Sequence, residues 1–185
     1  MARAAECMEE PTIEDGAAAW RIARDSRVLD VNSSYSYVLW CRDFAATSVV
    51  TRDEKGQAVA FATGYIRPEV PGTLVIWQIA VDEHWRGRGL AGSMLDHLAD
   101  RLLSRGVLQC LETTIGARNE ASQRLFLAFA ERHGAQLERE LLFPAHMFPD
   151  AHEPEYLHRI GPLIRPFVPP LGTQHSDTRH TRSAS

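Results

Sequence analysis

Residues 73–100, TLVIWQIAVDEHWRGRGLAGSMLDHLAD, leave this chain little freedom in what it can fold into. Residues 73–81 are apolar and rich in β-branching, with Gln78 the interruption, and are long enough for a mostly buried strand. Gly87, Gly89 and Gly92 follow, interleaved with Arg86 and Arg88. Then Leu90, Met94, Leu98 and Leu102 recur every fourth residue and lay one apolar stripe along a helix. The loop therefore ends at a helix N-terminus, where unpaired backbone N–H groups and the helix dipole favour an anion. Glycines let a phosphate approach the backbone and supply any positive φ the loop needs. The physical reading is a pyrophosphate cradle. The loop lacks the Gly-Lys-Ser/Thr ending of a Walker loop, and the G-x-G-x-x-G dinucleotide fingerprint is read as absent. A short glycine motif alone is more often an ordinary strand-to-helix turn, so its flanks must carry the reading.

A chain of 185 residues is expected to form one domain with a sizeable core. Its net charge of −4 gives no electrostatic case for nucleic acid. The longest apolar run, residues 74–81, is too short to span a bilayer, so no membrane partner is expected. The N-terminal MARAAECMEEP is acidic and has no apolar centre, which reads as a cytoplasmic protein without a signal peptide. Cys7, Cys41 and Cys110 have neither zinc spacing nor a disulfide pattern, and no metal is expected. Cys41 and Cys110 sit in apolar runs and read as buried fillers.

Along the chain, residues 1–11 read as a flexible leader, residues 12–163 as the folded domain and residues 164–185 as a disordered tail. Helices are expected over residues 12–25 and 32–44. In the second, Tyr37, Trp40, Cys41 and Phe44 fall at i, i+3, i+4 and i+7 and read as a core stripe. Residues 47–51 and 57–66 flank an Asp53–Gly56 turn as a hairpin ahead of the central strand. A strand over 107–114, a helix over 119–131 and strands over 136–143 and 155–160 complete the order α, α, β, β, β, α, β, α, β, β. Hairpin-joined strands are antiparallel, and strands joined through a helix tend to be parallel. The expected fold class is α/β, a mixed central sheet with helices on both faces.

The glycine loop resembles the acyl-CoA-binding signature Q/R-x-x-G-x-G/A of the GCN5-related N-acetyltransferases. Here it reads Arg86-Gly87-Arg88-Gly89-Leu90-Ala91, preceded by the strand IAVD. Four longer segments, LDVNSSYSYVLWCRDFAATSVV, GYIRPEVPGTLVIWQIAVDEHWRGRGLA, LETTIGARNEASQRLF and HEPEYLHRIGP, are similar to the L-2,4-diaminobutyrate acetyltransferases of ectoine biosynthesis. The resemblance covers roughly residues 12–163. It implies the acetyltransferase fold with an extra first strand, which the short polar leader does not display. It also implies acetyl transfer from acetyl-CoA to the γ-amine of L-2,4-diaminobutyrate, and a homodimer. Its product would be the direct precursor of ectoine, a compatible solute against osmotic stress. In many superfamily members a tyrosine in the helix after the Asn-containing turn protonates the leaving thiolate; the matching position here is Phe126, which has no proton to give. The resemblance places Ile79, Ala80, Val81, Arg86, Gly87, Arg88, Gly89, Leu90, Ala91, Asn119, Ser122 and Phe126 at the cofactor, with a backbone N–H near residues 79–81 facing the oxyanion.

The chemistry sets further demands. An amine must be neutral to attack a thioester. With lysine's reference value of about 10.4, neutrality near pH 7.4 costs roughly 4 kcal/mol, so the proton needs a route. The acceptor's ammonium and carboxylate groups need complementary partners, because unpaired buried charges are costly. An aspartate before a helix is ordinarily a cap or a solvated loop residue. The resemblance turns Asp30 into a candidate for holding the ammonium and, with His152 below, a candidate catalytic residue, with Tyr35 and Tyr37 beside it. Trp77, one strand step before Ile79 and expected on the same face, would wall the pocket and stack on an ammonium. In the HEPE loop, His152 is the candidate base and Glu155 a partner for the α-ammonium. Thr113, at the end of a strand beside the loop, completes the expected pocket. The other function classes that this sequence admits are an acetyltransferase for polyamines or aminoglycosides, and a non-catalytic acyl-CoA sensor.

Overall fold

A computed structural model describes residues 7–150 and 152–164. The leader's residues 1–6 and the tail from residue 165 lie outside the described residues, as does Ala151. The strands are β1 (Cys7–Glu9), β2 (Val49–Arg52), β3 (Ala58–Ile66), β4 (Thr73–Val81), β5 (Cys110–Gly116), β6 (Gln136–Phe143) and β7 (Glu155–Gly161). The helices are α1 (Asp15–Ser26), α2 (Ser34–Asp43), α3 (Leu90–Ser104) and α4 (Glu120–Arg132). One seven-stranded sheet runs β1-β2-β3-β4-β5-β7-β6. The β4–β5 pair is parallel, joined through α3, and the other neighbours are antiparallel.

Residues 7–9 are therefore not a loose leader: β1 pairs with β2 from Cys7↔Arg52 to Glu9↔Val50 and supplies the extra first strand. Three residues, CME, carry no alternation by which sequence alone could find it. Asp15 anchors the start of α1. It accepts from the Thr12 backbone N–H at 2.7 Å and takes Arg52 on both carboxylate oxygens at 2.7 and 2.8 Å.

The sheet separates two apolar layers. On one side Leu90, Met94, Leu95, Leu98 and Leu102 of α3 and Phe126 and Phe129 of α4 pack on Leu74, Ile76, Leu111 and Ile115. On the other, Ala19, Ile22 and Ala23 of α1 and Tyr37 of α2 pack on Val50, Phe61 and Ala80. Cys41 is buried, and burial pushes its thiol up to about 11, in line with a filler and against a nucleophile.

Two irregularities at the sheet centre shape the site. β3 and β4 pair Thr63↔Gln78 and then Gly64↔Ile76, so Trp77 is an extra residue in a β-bulge. A bulge breaks the alternation of faces. Trp77 and Gln78 both meet α2, whereas Ile79 and Val81 pack with the α3 layer. Trp77 and Ile79 therefore do not share a face as a regular strand would require. In addition, among the described residues β4 pairs with β5 only from Thr73↔Cys110 to Ile76↔Thr113. Beyond that point β5 follows β7 as far as Gly116↔Glu155. Residues 77–81 of β4 are thus left open on their β5 side.

Candidate active site

A cavity of about 580 Å³ lies against that open edge. Its walls include Ile79, Ala80 and Val81 of β4, the loop Arg86, Gly87 and Gly89, the first residues of α3 (Leu90, Ala91, Gly92), Asn119, Ser122 and Leu125 at α4, and Ser26, Val28 and Leu29 at the end of α1 and in the coil after it. Gly87 and Gly89 have φ of 76° and 79°, in the left-handed region, and no neighbouring atom lies within 4 Å of where a Cβ would stand. Backbone conformation, not crowding, selects glycine there. No side chain caps α3, so its first N–H groups stay available to an anion, whereas Asn119 caps α4 by accepting from the Ser122 N–H at 3.1 Å. This cradle and the apolar walls beyond it fit a phosphate-bearing, chain-like ligand such as a coenzyme A thioester.

Of the expected cofactor residues, Arg88 and Phe126 are not among the lining residues. Arg88 folds back over the Trp85 ring at 4.3 Å. Phe126 is buried in the α3–α4 layer, and its neighbour Leu125 takes the wall. The glycines do stand in the G-x-G-x-x-G spacing, from Gly87 to Gly92, so the expectation that this pattern is absent is wrong. Topology, not spacing, distinguishes this loop from the dinucleotide fold: β4 has an antiparallel neighbour in β3 and stays parallel to β5 only as far as Ile76.

On the opposite side of the sheet, the coil between α1 and α2 brings Asp30 to the C-terminal loop. Asp30 Oδ2 lies 3.1 Å from His152 Nε2, and Glu155 Oε1 lies 3.9 Å from the same nitrogen. His152 Nδ1 is 2.7 Å from the Glu153 carbonyl, which can only accept, so Nδ1 carries a hydrogen. The ring stacks on Phe148 at 4.2 Å. That carbonyl, with the Asp30 carboxylate next, holds the His152 pKa above its ordinary value. Burial raises the Glu155 carboxyl, opposed by the imidazole and by a hydrogen bond from Thr114. The site thus gathers a histidine that readily holds a proton and two carboxylates. One, Asp30, is 86% exposed, and the other, Glu155, is 18% exposed.

The remaining expected residues make other contacts. Tyr35 is exposed on α2. Tyr37 is fully buried, its hydroxyl donating to Gln78 Oε1 at 2.9 Å, so it supports the site from behind rather than lining it. Trp77 is partly exposed and stacked on Trp40 at 4.6 Å. Thr113 alternates with Leu111 and Ile115 onto the α3 side, buried, while Thr114 on the other face is the threonine that meets Glu155. Sequence reasoning did not place Thr114, Phe148, Trp40 or Gln78 at the site; Gln78 left a signal as the interruption of the central strand, and Trp40 as part of the stripe on the second helix. Leu29 walls the cavity and Asp30 next to it contacts His152, so the two halves adjoin across a single peptide unit. Among the described residues, no group of three or more histidine, cysteine or acidic side chains could hold a metal ion, and no helix is long and apolar enough to cross a membrane.

Comparison with known proteins bears on this geometry directly. Residues 16–130 match the model of the Acetyltransferase (GNAT) family. The chain is 62% identical over 157 residues to L-2,4-diaminobutyric acid acetyltransferase of Streptomyces coelicolor, a match spanning 84% of this chain and 92% of that one. It is 42% identical over 158 residues to the protein of the same name from Marinococcus halophilus, spanning 85% and 90% of the two chains. Among solved structures it resembles the diaminobutyrate acetyltransferase EctA from Paenibacillus lautus, in complex with its substrate L-2,4-diaminobutyric acid and coenzyme A. The TM-score there is 0.82 with 34% identity, over 90% of this chain and all of the other.

Proposed function

This chain belongs to the acetyltransferase (GNAT) family, and from that premise we infer that it is an L-2,4-diaminobutyrate acetyltransferase using acetyl-CoA. The observation that carries the reading is identity along nearly the whole length of relatives that bear that one activity in their name. The cavity at the α3 N-terminus receives the coenzyme, and its thioester reaches the acceptor through the gap where β4 parts from β5. The acceptor site lies across that gap, at Asp30, His152 and Glu155, and the γ-amine is the nucleophile. We place the enzyme in the cytoplasm as a homodimer, and its product in the supply of an osmoprotectant.

The residues divide the work by charge. Asp30 attracts an ammonium, and Glu155 with Thr114 offers a second acceptor for the other one. Attraction alone raises the ammonium's pKa, so Asp30 serves binding and not deprotonation. His152 supplies the base. Its Nδ1 hydrogen is committed to the Glu153 carbonyl, which leaves Nε2 to take the amine's proton once its own has gone. The neutral amine attacks the thioester carbonyl carbon. Backbone N–H groups on the open edge of residues 79–81 are the donors available to the developing oxyanion. As the C–N bond forms and the C–S bond breaks, the nitrogen loses its second proton and the departing thiolate gains one, which balances the transfer.

An amine panel tests this. Thiol release from acetyl-CoA is expected with L-2,4-diaminobutyrate, and little with spermidine or an aminoglycoside. Turnover confined to polyamines, or tight acetyl-CoA binding with no turnover on any amine, would overturn it.

A further inference from the structure

The buried polar group least explained by a core role is Gln78, in the middle of the central strand. Its side chain has two partners in different elements. Nε2 donates to the Asp30 backbone carbonyl at 2.8 Å, and Oε1 accepts from the Tyr37 hydroxyl at 2.9 Å. The assignment is forced, because a carbonyl accepts only: the atom facing Asp30 must be the amide nitrogen, and the hydroxyl must then donate. The Trp77 bulge makes this possible by turning residues 77 and 78 to the same helix, so that Tyr37 and Trp40, three apart on α2, meet two successive strand residues. Asp30 itself lies in a coil with a largely exposed side chain. Its backbone carbonyl is held by Gln78 and, at 3.4 Å, by the Asn32 side chain.

We propose that Gln78 is a positioning residue for the acceptor site: its amide, aimed by the Tyr37 hydroxyl, holds the Asp30 backbone and so fixes where the Asp30 carboxylate meets His152 and the acceptor amine. The inference rests on the acceptor site assigned above. It also adds a mechanical link, since Gln78 neighbours Ile79, which walls the coenzyme cavity. One side chain on the central strand thereby keeps the two substrates in register.

Replacing Gln78 alone would leave the Tyr37 hydroxyl buried without a partner, a destabilising outcome in itself. The double variant Tyr37→Phe/Gln78→Met removes both polar groups while keeping shape, which is close to neutral for folding. Its KM for L-2,4-diaminobutyrate is expected to rise about tenfold, with kcat less affected and acetyl-CoA affinity unchanged by calorimetry. The His152 titration, followed by NMR without substrate, is expected to move to lower pH as Asp30 drifts. The other groups facing that ring, Glu155 and the Glu153 carbonyl, stay in place, and the Glu153 side chain is engaged by Arg118 at 3.1 Å. Tyr37→Phe alone should shift both readouts the same way by less, and stands in if the double variant does not fold. An unchanged KM together with an unchanged His152 titration would overturn the proposal and leave the pair as core filling. If the wild type fails to acetylate diaminobutyrate, the substrate assignment falls instead, while the NMR titration still tests the link.

Discussion

At the scale of single residues, His152 and the acceptor ammonium compete for the Asp30 carboxylate. A neutral imidazole with Nδ1–H committed would point the Nε2 lone pair at a carboxylate 3.1 Å away, an unfavourable contact. That contact favours the protonated ring, in accord with the raised His152 pKa. An ammonium arriving at Asp30 takes over the carboxylate and frees the Nε2 proton. Calorimetry of diaminobutyrate binding, in buffers of unequal ionisation enthalpy and below the His152 pKa, should show release of roughly one proton per substrate, vanishing as pH rises through that pKa. Release that persists in His152→Gln would put the proton on the amine instead. A base must be neutral, so kcat/KM climbs as pH rises through the His152 pKa, which lies above histidine's ordinary value. By linkage, the pair stabilises the fold below the ordinary histidine pKa, and that contribution is lost as pH rises through the raised one. Asp30→Asn keeps size and removes charge. Asp30 is 86% exposed in the single chain, so there its pairing is worth less than the 2–5 kcal/mol of a desolvated pair; about 1 kcal/mol, roughly fivefold in kcat/KM, is expected unless a partner covers the site. Acetyl-CoA affinity should not change. Wild-type kinetics in Asp30→Asn would remove that carboxylate from the site.

At the scale of elements, the start of α3 carries the next prediction. Gly89 has φ of 79° and open space around the missing Cβ. Gly89→Ala therefore meets only backbone strain, about 1–2 kcal/mol, relieved by turning the loop's N–H groups away from the phosphates. Acetyl-CoA affinity should fall about tenfold, and Gly89→Asn, which tolerates the left-handed region, should lose less. Equal losses in the two variants would mean that φ is not what selects glycine. This loop was legible in the sequence because strand, glycines and helix stripe each follow a local rule; β4 and β6 even begin and end where residues 73–81 and 136–143 are read. What was not legible depends on interruptions of those rules. Strict alternation puts Trp77 with Ile79, and one bulged residue undoes it. Thr113 and Thr114 are equal candidates until the Ile76↔Thr113 register fixes which face each takes. By resemblance Phe126 is the position of the superfamily's tyrosine, yet the phase of α4 turns it into the core and leaves Leu125 at the wall. Tyr37 fits a core stripe and a pocket equally by spacing, and only its bond to Gln78 shows how it serves both.

At the scale of the molecule, the edge beyond β7 bears on assembly. β6 is the last strand of the sheet, nearly every one of its residues is solvent-exposed, and Leu141, Leu142 and Phe143 are exposed together with Met147 just beyond it. An exposed apolar edge strand is a liability unless another surface covers it. This patch also leads into the acceptor site: Phe143 packs edge-on to Phe148, whose ring carries His152. A second copy seated there would shield both the edge and the shelf under the base, and would lower the dielectric around Asp30. Sedimentation of the wild type at micromolar concentration should therefore give a dimer. Leu141→Glu combined with Met147→Glu, two charges on the patch and none in the acceptor site, should give a folded monomer. Acetyl-CoA affinity should survive in that monomer, because the cradle at α3 is on the other side of the sheet, whereas kcat/KM for diaminobutyrate should fall. The Asp30→Asn penalty reads the same event independently. If it reaches the full desolvated 2–5 kcal/mol in the wild type and shrinks to about 1 kcal/mol in the monomer, the partner is what dries the site. A wild-type monomer with full activity would leave the exposed edge unconnected with catalysis.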